Sequence, residues 1–375
     1  MSSIFHITTV HKRHDIRIYL KELISLSRAY DSTLIVFDGH GNDDDSVVKI
    51  VDLGERVGNR LFRVFSHYRG VIAYLADIKR TVVSSEKVVV HFHDPENLIL
   101  AYILTFKGFK VIWDSHEDFP RQLLYKMWLP VLIRKPLSSV AEIIENFVSK
   151  RIAGVVAATP LIESRFKSIN NNTVCVKNYP ILDEFLDLPV IKEGEKVICY
   201  IGSINVERGI VELMDALGVL GPEYKLILCG TFDSPNTERL VNSHCCWSQV
   251  DFRGMLGREG VRKALSESNV GMVTLHPSPN QVEALPIKLF EYMAAGVPVI
   301  ASNFPLWETI VNESSCGKVV DPYSVDEIVD AIKSICGNVG LARSYGESGR
   351  AAVMQKYSWE SEEKKLLEFY KDIIQ

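Results

Sequence analysis

Two doubly wound parallel α/β domains in tandem are what this sequence predicts, and three observations carry the expectation. The chain has 375 residues, more than one hydrophobic core ordinarily serves, so two domains of roughly 180 residues each are expected. Short apolar runs of strand length alternate with longer stretches of helical period, the pattern of parallel sheets covered by helices. This alternation occurs twice. Between the two occurrences, Asn178-Tyr179-Pro180 opens a polar, proline-containing stretch through Pro189 to Gly194 that reads as a linker.

The front half is expected to hold strands near Ile4–Thr9, Thr33–Phe37, Val88–Phe92, Lys110–Trp113, Gly154–Ala158 and Thr173–Lys177. Its first helix, Ile16–Ala29, would turn Ile16, Leu20, Leu23, Ile24 and Ser27 inward and Arg17, Lys21 and Arg28 outward. The back half is expected to hold strands at Val197–Ile201, Tyr224–Cys229, Val250–Phe252, Val270–Thr274, Val297–Ala301 and Lys318–Val320. The domains would span 1–180 and 190–358, with a closing helix at 359–375 returning to the first.

Composition narrows the function classes. Hydrophobic residues at 47% and charged residues at 24% exclude a disordered or fibrous chain. Residues 1–190 carry a net charge of +2 and residues 191–375 a net −7. Neither half has the dense basic stripe of a nucleic-acid binder, so no nucleic-acid partner is expected. Seven cysteines without C-x-x-C spacing read as reduced thiols of a cytoplasmic protein. Met1–Val10 shows no basic segment leading into a long apolar one, and no window reaches about 18 apolar residues.

In open α/β sheets ligands bind beyond the carboxyl ends of the strands, and those ends are polar here. One strand runs into His91-Phe92-His93-Asp94-Pro95 and another into Asp114-Ser115-His116-Glu117-Asp118. If the two strands are neighbours, His93, Asp94 and His116 converge. The spacing matches no familiar metal motif, and no metal is expected. Asp94 and Asp118 could simply cap the helices that follow them. His116 fits a role in hydrogen bonding to a sugar or phosphate.

The most specific signal runs from Gln281 to Ile300 and contains Glu283-Ala284-Leu285-Pro286-Ile287-Lys288-Leu289-Phe290-Glu291. Pro286 suits a first helical turn, and Gly296 with Pro298 ends the helix, which should cover about residues 286–295. Pro286, Leu289, Phe290 and Met293 would form its apolar face, with Lys288, Glu291, Tyr292 and Ala295 opposite. A helix N-terminus suits an anion such as a diphosphate. Lys288 and Glu291 could equally be an ordinary i, i+3 surface pair.

Two glutamates seven residues apart, followed by an apolar helix and A-A-G-V-P-V-I-A-S, resemble the E-x7-E signature of glycosyltransferase family 4. The stretch Tyr200 to Ile210, containing Gly202, Ser203 and Arg208, is similar to the strand, loop and helix that open that family's donor domain. H-F-H-D-P-E and V-I-W-D-S-H-E-D resemble its bacterial surface-polysaccharide branch. Likeness at His11, Asp15, Arg17, at Asn178-Tyr179-Pro180 and at Tyr357-Ser358-Trp359-Glu360 extends over nearly the whole chain. The resemblance implies the GT-B fold, two Rossmann-like domains facing across a cleft, and retaining transfer of a sugar from a UDP- or GDP-sugar without a metal or other cofactor. It implies a donor site of Gly202, Ser203, Arg208, Glu283, Ala284, Leu285, Pro286, Lys288 and Glu291. Within it, Glu283 would position the donor sugar, Glu291 the ribose, and Arg208 and Lys288 the diphosphate. His116 would act from the opposite domain, with His11, His93 and Asp94 as further acceptor-side candidates. Two departures stand out: Thr8-Thr9-Val10-His11-Lys12 lacks the glycine-rich turn common in the family, and Ser203 stands where an arginine is frequent.

Competing readings are an epimerase or phosphorylase of the same architecture, and a non-enzymatic two-domain sugar-binding protein. The absence of a G-x-G-x-x-G after either first strand argues against a nicotinamide dehydrogenase. The expected acceptor is a glycan or lipid-linked oligosaccharide in O-antigen, capsule or exopolysaccharide synthesis. Residues 121–137, which mix Tyr125, Trp128 and aliphatics with Lys126, Arg134 and Lys135, suit peripheral contact with the cytoplasmic face of the inner membrane.

Overall fold

The structure, a computed structural model, describes residues 2–44, 46–55, 60–81, 87–126, 129–189 and 196–375. It divides into two compact units, Met1–Asn178 with Ser361–Gln375, and Tyr179–Glu360. The end of the predicted linker, 190–194, lies outside the described residues.

Unit 1 is built on seven parallel strands: β1 Ser3–Ile7, β2 Asp31–Val36, β3 Lys49–Asp52, β4 Val88–Phe92, β5 Lys110–Ser115, β6 Gly154–Ala157 and β7 Thr173–Cys175. Their order is β3-β2-β1-β4-β5-β6-β7. Strand β3 was not anticipated, because its four residues give too little pattern. Phe5, Ile7, Val90, Phe92, Val111 and Trp113 pack one face of the sheet into the principal core.

Unit 2 has six parallel strands: β8 Lys196–Ile201, β9 Tyr224–Cys229, β10 Val250–Gly254, β11 Val270–Val273, β12 Val299–Ser302 and β13 Gly317–Val320. The order β10-β9-β8-β11-β12-β13 is the Rossmann order, which reverses direction between β8 and β11. Two large apolar clusters lie in this unit. One gathers Ile198, Leu213, Leu217, Leu228 and Ile332, the other Leu289, Phe290, Tyr292, Met293, Val299 and Trp307.

The first helix departs from its predicted facing. Its first turns, Ile16–Leu23, are wound as a π-helix, and an α-helical turn Ile24–Ser27 follows. Arg17, Lys21 and Glu22 are buried, while Ile16, Leu20 and Ile24 are only half-buried. A strict 100° periodicity places Arg17 and Lys21 outside, because it cannot anticipate either the wider π-winding or the buried carboxylate that Arg17 meets.

Candidate active site

In unit 2 the site begins where β8 ends. Gly202 has φ +131° and Gly209 φ +72°. A side chain at Gly209 would collide with the Thr274 carbonyl, just beyond β11, at 2.0 Å. The loop between these glycines is therefore pressed into the point where the sheet order reverses. A short 3₁₀ turn, Val206–Arg208, brings the Arg208 guanidinium back over Gly202, where a Cβ would stand 3.5 Å from Nη1.

The helix Ile287–Ala294 meets this loop. Its N-cap is Pro286, with φ −68° and ψ 122°, so the proline stands just ahead of the first turn. Every residue from Lys288 to Met293 is buried, which corrects the expected division into an apolar and a solvent-facing side. Tyr292, placed on the polar face, is completely buried and donates to the Cys199 carbonyl at 3.4 Å, while its hydroxyl accepts from Ile201 N at 3.1 Å.

Lys288 and Glu291 do not form the surface pair that their spacing allows. Glu291 accepts from Arg258 at 2.7 Å, and Arg258 also binds Glu184. Neither Arg258 nor Glu184 was singled out from sequence, because each lies far from the signature. Lys288 Nζ is buried, stands 4.3 Å from the centre of the Tyr200 ring, and has no hydrogen-bond acceptor. Burial, with the nearby Arg208 charge, pulls its pKa down from 10.5 to about 7. Neither cation has a carboxylate partner among the described residues.

The remaining donor-side candidates surround this pair. Ser203 is half-buried; its carbonyl accepts from the Tyr200 hydroxyl at 2.8 Å and its Oγ from Asn205 at 3.4 Å. Glu283 is exposed just past the short helix Pro279–Val282. Ala284 offers its carbonyl to Trp307 at 2.7 Å, and Leu285 is half-buried. Beside Gly202 and Ser203 opens a pocket of about 290 Å³, lined by Ile201, Gly230, Thr231, Met255, Leu256 and Val261 among others. No sequence spacing marks it, since its walls come from the ends of β8 and β9, the loop after β10 and the helix Arg258–Ser266.

Unit 1 brings its own candidates together. Strands β4 and β5 pair in parallel, and His93 Nδ1 lies 3.1 Å from His116 Nε2. Asp114 is the hub: Oδ2 is 2.9 Å from His116 and 3.2 Å from His93, and Arg17 binds it through two nitrogens at 3.0 and 2.9 Å. Burial opposes its charge, but Arg17 and the two histidines hold its carboxyl well below the usual range. Burial keeps His6, His91 and His93 neutral, with His93 near 4. It pushes Glu22 the other way, up, with Asp114 adding to the effect.

Asp94 stands at the N-cap of the turn Pro95–Asn97 but does not cap it with its carboxylate. Its side chain instead accepts from Thr9 N at 2.6 Å and the Thr8 hydroxyl at 3.0 Å. It thereby ties the glycine-free turn after β1 to β4. Asp118 likewise makes no cap bond, and pairs with Arg165 at 3.4 Å. His11 stacks on His116 at 5.4 Å and sits 3.5 Å from Asp15, whose hydrogen bond raises its pKa.

Residues 184–352, inside unit 2, match the family model described as glycosyl transferases group 1. The phosphatidyl-myo-inositol mannosyltransferase of Mycobacterium leprae is 22% identical over 82% of this chain and 81% of its own. The chain spans about half the length of other curated relatives, at 22–25% identity. Among solved structures, sucrose-phosphate synthase from Thermosynechococcus elongatus superposes with a TM-score of 0.77 at 18% identity, covering 100% of this chain and 99% of that one. Anabaena HepE in complex with UDP-glucose superposes at 0.73 and 14% identity, covering 99% and 100%. The fold is GT-B.

Proposed function

We propose that this chain is a retaining glycosyltransferase that binds a UDP- or GDP-sugar on unit 2 and passes the sugar to a glycan or lipid-linked acceptor. One observation carries the reading: two cations, Lys288 and Arg208, converge without a carboxylate partner among the described residues, one of them buried and lacking any acceptor there. Such a pair calls for a dianionic ligand. The pocket beside Gly202 has the size and apolar walls for a nucleobase. The match of residues 184–352 to group 1 glycosyl transferases and the UDP-glucose held by HepE support the same assignment.

In the reaction the bond between the anomeric carbon and the diphosphate oxygen breaks as the acceptor hydroxyl oxygen bonds to that carbon on the same face. Charge grows on the departing diphosphate, where Lys288, Arg208 and the N–H groups opening the helix Ile287–Ala294 stabilise it. The departing phosphate oxygen takes the acceptor's proton. Glu283 is free of intramolecular work and positions the donor sugar. Glu291, oriented by Arg258, accepts from the ribose diol. His116, held by Asp114, hydrogen-bonds a sugar hydroxyl.

A lipid-linked acceptor is favoured by the helix Val131–Ser149. Leu132, Val140, Ile143 and Phe147 are exposed on it, with Ile133, Leu137 and Ile144 continuing the same side. At about 100° per residue they form a face roughly 140° wide. Its inner side buries Val148 together with the polar Ser138, Glu145 and Ser149, so fewer apolar side chains face inward than outward. Pro130 caps the start of this helix, so 121–123 and 131–137 fall in two separate helices; Met127 and Trp128 lie outside the described residues. No helix among the described residues is long and apolar enough to cross a membrane, and contact would be peripheral.

The test is turnover of radiolabelled UDP- and GDP-sugars with and without a membrane extract as acceptor. Label transferred to the extract, with retained configuration, is expected. Free epimerised sugar nucleotide or sugar phosphate without acceptor would overturn it in favour of the epimerase or phosphorylase reading.

A further inference from the structure

Unit 1 holds a second polar cluster for which the proposed transfer has no use. His6 on β1 stands in register with His91 on β4, and His93, two residues on, points to the same face of the sheet. Glu22 descends on them from the π-wound helix. All four side chains are buried, and one ligand atom of each lies within 4.8 Å of the others. His6 Nδ1 is 2.8 Å from His93 Nε2 and 3.9 Å from Glu22 Oε2.

Hydrogen bonding does not complete this group. His91 Nε2 has no partner, and neither carboxylate oxygen of Glu22 receives a hydrogen bond. Glu22 stands 3.0 Å from Arg17 and at the distance given from His6, and burial together with the Asp114 carboxyl that it faces pushes its own carboxyl up. A lone pair buried in this way calls for a donor or a cation. The outward-facing nitrogens are all supplied with oxygen. The Tyr370 hydroxyl lies 3.0 Å from His6 Nε2 and 2.7 Å from His91 Nδ1, and Asp114 lies 3.2 Å from His93 Nδ1. Once a cation displaces the proton shared between His6 Nδ1 and His93 Nε2, each imidazole can give its N–H outward to an oxygen and turn a lone pair inward, the arrangement that orients metal-bound histidines.

We propose that His6 Nδ1, His91 Nε2, His93 Nε2 and Glu22 Oε2 form a binding site for a divalent cation of the zinc class. Three imidazole nitrogens and one carboxylate oxygen are a donor set that suits zinc, and four protein ligands fill a tetrahedral shell. The burial of all four leaves no open position for a reacting water, so the ion is structural. It would clamp β1, β4 and the helix carrying Glu22, and Tyr370 would link the C-terminal helix Trp359–Ile374 to it through its two hydrogen bonds. The ligands come from three separate segments, which explains why no metal spacing is visible along the sequence.

The experiment measures zinc in the full-length untagged chain by mass spectrometry after chelator treatment, reconstitution with zinc sulfate and desalting. One zinc per chain is expected in the wild type. Glu22→Gln and His91→Phe should each retain less than a tenth of that. His116→Ala, which belongs only to the neighbouring group of His93, Asp114 and His116, should keep the full equivalent. Tyr370→Phe should weaken zinc binding about ten-fold in a chelator competition. Cobalt loaded into the wild type should give the visible absorption of a tetrahedral site, a readout that stands even if a ligand variant fails to fold. Wild-type protein that retains neither metal overturns the proposal, as does zinc lost from His116→Ala but kept by Glu22→Gln. Metal content is read without any sugar nucleotide, so this outcome is independent of the transferase reading.

Discussion

The Lys288 ammonium sits near half protonation at neutral pH, because burial and Arg208 bring its pKa from 10.5 to about 7. Between those values the unfolded chain binds the proton that the folded chain has lost. This residue's contribution therefore makes the ligand-free protein more stable as pH rises from about 7 to 10.5. A bound diphosphate restores the charge, so nucleotide affinity should fall over the same window, by up to about ten-fold per pH unit. Lys288→Met should flatten both trends, in thermal melts without ligand and in calorimetry with nucleoside diphosphate; parallel slopes in variant and wild type would refute the assignment. With donor saturating, Lys288→Ala and Arg208→Ala should each lower kcat by roughly 10²–10³-fold, or about 3–4 kcal/mol. Ser203→Ala, whose hydroxyl meets only Asn205 at 3.4 Å, should cost much less, and a large loss at Ser203 with little at Lys288 would reverse the roles. Glu283→Gln should slow turnover with folding intact, since the exposed side chain supports nothing else. Glu291→Ala should instead raise the nucleotide Kd about ten-fold, a loss of the size of one charged hydrogen bond. Steady-state kinetics in which both variants match the wild type would remove the two glutamates from the site.

At the scale of elements, the outer face of the helix Val131–Ser149 is not accounted for by its surroundings among the described residues. Glu145 is buried against Arg165, yet Leu132 is 90% exposed. Burial pushes the Glu145 carboxyl up to about 7 even with Arg165 beside it. Paired replacement of Leu132 and Ile143 by asparagine should reduce flotation with vesicles containing anionic lipid at least several-fold and leave the thermal midpoint nearly unchanged, since neither side chain is packed. Replacing Arg134 and Lys135 by glutamine should reduce flotation chiefly at low salt, where the attraction is less screened. Flotation indifferent to both changes would leave this face without a lipid role. The helix Ile287–Ala294 is the opposite case, apolar and polar residues alike being enclosed. Its burial, which no single-helix projection foresees, is what shifts Lys288 and aligns Glu291 with Arg258.

At the scale of the molecule, unit 2 has its own sheet and apolar clusters, and every donor-side candidate lies in it. Residues 179–360 expressed alone should therefore fold and bind the nucleotide within about ten-fold of the full chain by calorimetry. A folded fragment with no measurable binding would show that the donor site needs residues of unit 1. The twofold alternation of strand and helix, the approximate positions of twelve strands and the glutamate signature were legible in the sequence, because each rests on spacing within one short segment. Strand β3 was too short to leave a pattern, and the inward turn of Arg17, Lys21 and Glu22 contradicts their local periodicity. Tertiary structure alone decided which distant groups meet: Arg258 with Glu291, Asp94 with Thr8 and Thr9, and His6 with His91, Glu22 and Tyr370. Local sequence determines the conformations a segment favours, whereas the charge state of a buried side chain depends on solvent exclusion and on partners supplied by strands far away in the chain.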